Sequence, residues 1–93
     1  MRLENKIVLI SGAAQGLGAE IAKQFREEGA YVYVCDLNAE EARKTAANLA
    51  ALNDCGGACS IALDVSSEDS WKSAIGTVKA EKGRLDVLVN NAG

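Results

Sequence analysis

Apolar positions along this chain follow two alternating patterns. Lys6–Ser11 holds the unbroken run Ile7-Val8-Leu9-Ile10, which predicts a strand buried on both faces, as in a parallel sheet. Gly18–Glu28 instead places Ile21, Ala22 and Phe25 on one helical face, opposed by Glu20, Lys23, Gln24 and Glu27, with Gly29 positioned to end the helix. A second strand, Tyr31–Cys35, finishes at Asp36. Asn38 followed by Glu41 is a capping-box pattern, and it opens a helix whose inner stripe is Ala42, Ala46, Leu49 and Ala50. Asn53-Asp54-Cys55-Gly56-Gly57 reads as a turn. A third strand, Ala58–Leu63, ends at Asp64-Val65. Ser66 with Asp69 marks an N-cap for a helix that buries Trp71, Ala74, Ile75 and Val78, and Lys82-Gly83-Arg84 closes it. The fourth strand, Leu85–Val89, leads into Asn90-Asn91-Ala92-Gly93.

Strand–helix alternation with short connections argues for an α/β fold with parallel strands and right-handed crossovers. The expected architecture is the N-terminal half of a doubly wound parallel sheet, four strands with three helices in the order 3-2-1-4. Ligands in such sheets bind at the carboxyl ends of the strands. The candidate chemistry gathers there: a glycine turn after the first strand, Asp36 after the second, Asp64 after the third and Asn90–Gly93 after the fourth.

The glycine turn is Gly12-Ala13-Ala14-Gln15-Gly16-Leu17-Gly18. Gly12 permits a sharp departure from the strand, Gly16 removes a Cβ that would block a phosphate, and Gly18 lets the new helix pack closely. The helix start offers unpaired N–H groups and a positive dipole end to an anion. Asp36, 18 residues beyond Gly18, stands where a carboxylate can accept from both hydroxyls of an adenosine ribose; the plainer role is a strand-end turn. Asp64 has two readings, contact with an adenine edge or capping of its own loop with Ser66. Asn90 and Asn91 either knit the strand ends together or are ordinary turn residues before Gly93. Tyr31 and Tyr33 read as packing residues. Ser11 has no histidine anywhere in the chain to activate it, which argues against a nucleophile.

Composition narrows the function classes. With 93 residues the chain holds at most one small domain, residues 1–93, and 48% hydrophobic with 25% charged residues is ordinary for a globular protein. A net charge of −3 without a basic cluster gives no reason to expect nucleic acid or an anionic membrane as partner. No apolar run is long enough to span a bilayer, and Met1–Lys6 lacks the apolar core of a signal peptide, so a cytoplasmic location is the default expectation. Cys55 and Cys59 do not match zinc-knuckle spacing, and Cys35 sits in an apolar run, so the cysteines read as reduced thiols and no metal site is expected.

Taken together, these motifs resemble the N-terminal part of a short-chain dehydrogenase/reductase. Gly12, Gly16 and Gly18 match the family's Gly-x-x-x-Gly-x-Gly, Asp64-Val65 its Asp-Val pair, and Asn90-Asn91-Ala92-Gly93 its Asn-Asn-Ala-Gly. Ser11 stands where the family more often has Thr. The resemblance implies a Rossmann sheet and an oxidoreductase that moves hydride between a nicotinamide dinucleotide and a secondary alcohol or ketone. It further implies cofactor contacts from Gly12, Ala14, Gln15, Gly16, Leu17, Gly18, Asp36, Leu37, Asp64, Val65, Asn91, Ala92 and Gly93, with Asn90 supporting the sheet. The family's catalytic tyrosine, lysine and serine lie beyond the Asn-Asn-Ala-Gly motif, so this stretch alone is not expected to turn over substrate. Full-length members of the family commonly form dimers or tetramers.

Cofactor choice has a physical basis. Asp36 repels the 2′-phosphate of NADP and accepts from the free hydroxyls of NAD, while Ala14, Gln15 and Leu37 offer no cation to neutralise a phosphate. Like charges held close at a partly exposed site discriminate by about 1–3 kcal/mol. NAD is therefore expected over NADP. Three other classes remain: a stand-alone nucleotide-binding module, a truncated product without a ligand, and a methyltransferase that binds S-adenosylmethionine, whose usual Gly-x-Gly-x-Gly is not met here.

Overall fold

The computed structural model describes residues 2–52 and 56–91. Seven elements alternate: β1 (Ile7–Ser11), α1 (Gly16–Glu27), β2 (Tyr31–Asp36), α2 (Ala39–Ala50), β3 (Gly57–Ala62), α3 (Glu68–Lys82) and β4 (Val87–Asn90). The strands form one parallel sheet in the order β3-β2-β1-β4, as expected. β1 is central, pairing Ile7 with Tyr31 on one side and Val8 with Val87 on the other. The chain winds outward from β1 to β3 and returns through α3 to the opposite side of β1. That reversal opens a crevice between the carboxyl ends of β1 and β4.

Alternate side chains of β1 enter two separate cores. Val8 and Ile10 join Val32, Val34, Ala22, Ala42, Ala46 and Leu49 beneath α1 and α2. Ile7 and Leu9 join Tyr33, Cys35, Leu63, Ala74 and Val78 beneath α3. All five β1 residues are buried, which is why the strand shows no polar alternation. Small residues on the inner stripes of α1 and α2 let both helices lie close to the sheet. Tyr33 is fully buried yet satisfied, its hydroxyl donating to Glu81 Oε1 at 2.7 Å, and Lys82 Nζ lies 3.7 Å from the centre of the Tyr31 ring.

Several boundaries differ from the sequence expectation for local reasons. α1 begins at Gly16, two residues earlier than Gly18, because the turn itself winds into the helix. Ala50 is exposed at the last turn of α2 instead of completing its inner stripe. The cap of α3 is Ser67, whose hydroxyl accepts from Ser70 N, and not Ser66, which is drawn to Asp64. Trp71 and Ile75 are half-buried, and Leu85 precedes β4 instead of belonging to it. Asn53, Asp54 and Cys55 of the expected turn lie outside the described residues.

Among the described residues, one buried residue carries a charge. Arg26 lies on the stripe Gly18-Ala22-Arg26 of α1 and is fully enclosed. Its Nε donates to Leu49 O and its Nη1 to Ala30 O, each at 3.0 Å. Leu49 O belongs to the last turn of α2, beyond the reach of an i+4 helical donor, and also accepts from Leu52 N at 3.2 Å. Arg26 therefore ties the end of α2 to the entrance of β2. Arg26→Met keeps the length but removes a charged donor from both carbonyls, leaving Leu49 O to Leu52 N, at an expected cost of about 2–4 kcal/mol. Urea unfolding with an unchanged slope checks this; a midpoint equal to the wild type would refute it.

Burial, and then charge at Cys59 and Asp36, pushes the Cys35 thiol from 9.0 up to about 12. Burial with a Cys59 hydrogen bond pushes Tyr31 from 10.0 to about 12. A folded state that holds these protons longer than the unfolded chain is fully stabilised below pH 9 and loses that contribution as pH rises toward 12. Unfolding midpoints should be level from pH 7 to about 9 and fall steadily above it. A flat profile to about pH 11 would contradict the assignment.

Candidate active site

The bend after β1 is held by contacts from β2, from α2 and from the segment after β4. Gly12 and Gly16 take φ values of 63° and 65°, the left-handed region that side-chain-bearing residues rarely adopt. Asn91 Nδ2 donates to Gly12 O at 3.2 Å, binding the end of β4 to the bend. A Cβ on Gly18 would lie 2.1 Å from Gly12 O and 2.7 Å from Asn91 Nδ2. Gly18 is thus required by the approach of α1 to the carbonyl of the bend. A Cβ on Gly16 would meet nothing within 4 Å, so the space above it is open. Beside the bend, Ser11 Oγ donates to Asn90 Oδ1 at 2.9 Å, which joins β1 to β4.

The start of α1 is left bare. Its N-cap, Gln15, makes no side-chain cap hydrogen bond, and its first turn has no acidic residue. α2 and α3 are capped by Asn38 and Ser67 and carry acids in their first turns. An uncapped N-terminus presents donors and a positive dipole end to an anion.

Asp36 turns back toward the bend. Its Oδ2 accepts from Ala14 N at 3.2 Å and its Oδ1 from Asn38 N at 3.0 Å. The second bond occupies the amide that a reciprocal capping box would have used, so Asn38 caps α2 through its own Oδ1 alone, accepting from Glu41 N. Ala13 N adds a bond to Cys35 O at 3.1 Å, and Thr45 of α2 donates its hydroxyl to Ala14 O.

Asp64 caps its own loop, the plainer of its two readings. Ser66 donates to Asp64 Oδ1 from both its amide and its hydroxyl, and this holds the carboxyl below the usual carboxylate range. Ser70 Oγ accepts from Asp64 N, and Trp71 Nε1 donates to Val65 O, so α3 sets the loop's position. Sequence reasoning missed Thr45, Ser70 and Trp71 in these supporting roles.

Gly12, Asp36, Leu37, Leu63, Asp64 and Val65 line one cleft of about 180 Å³. It lies at the carboxyl ends of the strands. A cavity of about 210 Å³ beside the far end of α1, lined by Leu3, Ile21, Gln24, Phe25 and Glu28, is remote from them. Of the five large apolar residues exposed among those described, Leu17, Leu37 and Val65 belong to the candidate set, at 70%, 74% and 38% exposure. Ala92 and Gly93 lie outside the described residues. Among the described residues no group of side chains forms a metal site, and no helix is long and apolar enough to cross a membrane.

Comparisons with known proteins agree with this geometry. Residues 6–93 match the family model described as short chain dehydrogenase. A D-threitol dehydrogenase from Mycolicibacterium smegmatis is 45% identical over 92 residues, 99% of this chain and 35% of that protein. Among solved structures, a hydroxysteroid dehydrogenase from Escherichia coli superposes with a TM-score of 0.92 at 37% identity, covering 99% of this chain and 38% of that one. RhlG from Pseudomonas aeruginosa, in an NADP active-site complex, gives 0.87 at 37% identity over 98% of this chain and 36% of its own. A D-mannonate oxidoreductase homologue from Haemophilus influenza with bound NAD gives 0.84 at 30% identity over 94% of this chain and 30% of its own. The chain spans about a third of the length of such relatives. By its family match and its Rossmann sheet, the chain belongs to the short-chain dehydrogenase family.

Proposed function

We propose that residues 1–93 are the cofactor-binding portion of an NAD-dependent oxidoreductase acting on a secondary alcohol or ketone. The observation that carries this is Asp36, aimed at the glycine bend by Ala14 N and Asn38 N. A carboxylate accepts about four hydrogen bonds, so two such donors leave capacity for the hydroxyls of a ribose. The residues fit a dinucleotide. The open space above Gly16 and the bare start of α1 suit its pyrophosphate. Leu37 and Val65 give apolar walls for an adenine in the cleft they share with Asp64. Gly12, Ala14, Gln15, Leu17, Gly18, Asn91, Ala92 and Gly93 complete the proposed cofactor set. Bound NAD supplies the hydride acceptor.

The cofactors in the related structures include both NAD and NADP. NAD preference here rests on the carboxylate at position 36 and on the lack of a cation at Ala14, Gln15 and Leu37. Support for an alcohol or ketone comes from relatives named as dehydrogenases of threitol and sorbitol. The groups that handle the substrate's proton belong, in this proposal, to the two-thirds of the relatives that the chain does not match, as does assembly into a homo-oligomer.

Two substitutions test the site. Asp36→Ala should weaken NAD about tenfold, equivalent to about 1.4 kcal/mol, and weaken NADP less. Calorimetry showing equal losses for both dinucleotides would remove the selectivity claim. Gly18→Ala should reduce binding of both cofactors by more than tenfold, because a Cβ 2.1 Å from Gly12 O forces the bend open. Unchanged affinity in a folded Gly18→Ala protein would show that the bend does not hold the dinucleotide.

A further inference from the structure

Thr45 sits on α2, well away from the glycine bend in sequence, and its hydroxyl is not spent within its own helix. A helical threonine commonly returns its hydroxyl to the carbonyl one turn earlier. Thr45 Oγ1 instead donates to Ala14 O at 2.5 Å, across 31 positions of sequence. Ala14 is thereby held from both sides, its carbonyl by Thr45 and its N–H by Asp36 Oδ2 at 3.2 Å. The carboxylate's other oxygen is fixed by Asn38 N, at the mouth of the same helix α2. One helix therefore holds the bend through Thr45 and the carboxylate through Asn38.

From this chain of contacts we infer that Thr45 is a positioning residue for cofactor selection, acting through Ala14 on Asp36. It presupposes the NAD preference proposed above. Because the peptide unit is planar and trans, anchoring Ala14 O also sets the direction of the next N–H, that of Gln15 at the start of α1. With the bend anchored, Ala14 N stays aimed at Asp36, and the carboxylate keeps its place at the tip of β2. Without the anchor the Ala14–Gln15 peptide turns more freely about Ala14 Cα, and the adjoining Ala13–Ala14 unit that carries Ala14 N shifts with it. The bond to Asp36 then lengthens, so the carboxylate swings on the Asn38 side alone. Rejection of a 2′-phosphate depends on where that negative charge is held, and binding of ribose hydroxyls depends on how it is oriented. Loss of Thr45 should therefore reduce the ratio between NAD and NADP affinities and not merely weaken both.

The test measures dissociation constants for NAD and NADP by calorimetry on the complete polypeptide carrying these residues, as wild type, Thr45→Val and Thr45→Ser. Thr45→Val preserves shape without the hydroxyl, and Thr45→Ala gives the same comparison should valine crowd the helix. The expected result is a threefold to tenfold drop in the NAD-to-NADP preference for Thr45→Val, with Thr45→Ser restoring most of it. An unchanged ratio, or an equal loss of both affinities, overturns the inference and leaves Thr45 a structural brace. A wild-type protein that binds both dinucleotides equally overturns the NAD proposal and this inference with it. A wild-type preference that Thr45→Val leaves intact overturns the inference alone.

Discussion

The cleft depends on a close approach at the carbonyl of Gly12. That carbonyl receives Asn91 Nδ2, and the same space excludes any side chain at position 18. Three elements converge on this one atom: β1 ends there, α1 starts over it, and the segment after β4 reaches back to it. Close approach of this kind has no slack, because atoms packed at van der Waals distance leave no room for even one methyl group. The shape of the cleft follows. With the bend fixed, the start of α1 is left open, and the tips of β2 and β3 bring Asp36 and Asp64 to the same cleft.

A second layer of bonds holds the charged groups without neutralising them. Asp36 accepts from two backbone amides and Asp64 from the amide and hydroxyl of Ser66. No lysine or arginine bonds to either among the described contacts. Backbone donors orient a carboxylate yet leave its negative charge unpaired, which is what the proposed preference for NAD requires. An arginine bonded to either carboxylate would orient it equally well and neutralise its charge.

How much was legible before the structure depends on whether a signal was local. β1 was readable because both its faces are buried and its sequence is a plain apolar run. Asn38 was readable as a cap because its partner, Glu41 N, is three residues away. Arg26 was not, since a charged side chain on an apolar stripe finds its acceptors in Leu49 and Ala30, which only the fold brings near. Its place four residues after Ala22, in line with Gly18, was the available hint. Ser66 was read as the cap of α3 and Ser67 proved to be, because the carboxylate of Asp64 competes for Ser66. Asn91 stayed open between knitting the strand ends and serving as an ordinary turn residue, with no particular carbonyl indicated, and Thr45 gave no sign at all.

The contact from Asn91 to Gly12 also orders events in time, since its two ends are 79 positions apart. At about 5–20 residues per second, a ribosome needs roughly 4–16 seconds to make the intervening stretch. Throughout that interval β1 waits with the flank that β4 fills still empty, and the bend beside it lacks its brace. A ligand that needs the braced bend finds no complete site until Asn91 has been made. Until then the flank of β1 that is filled is the one paired with β2.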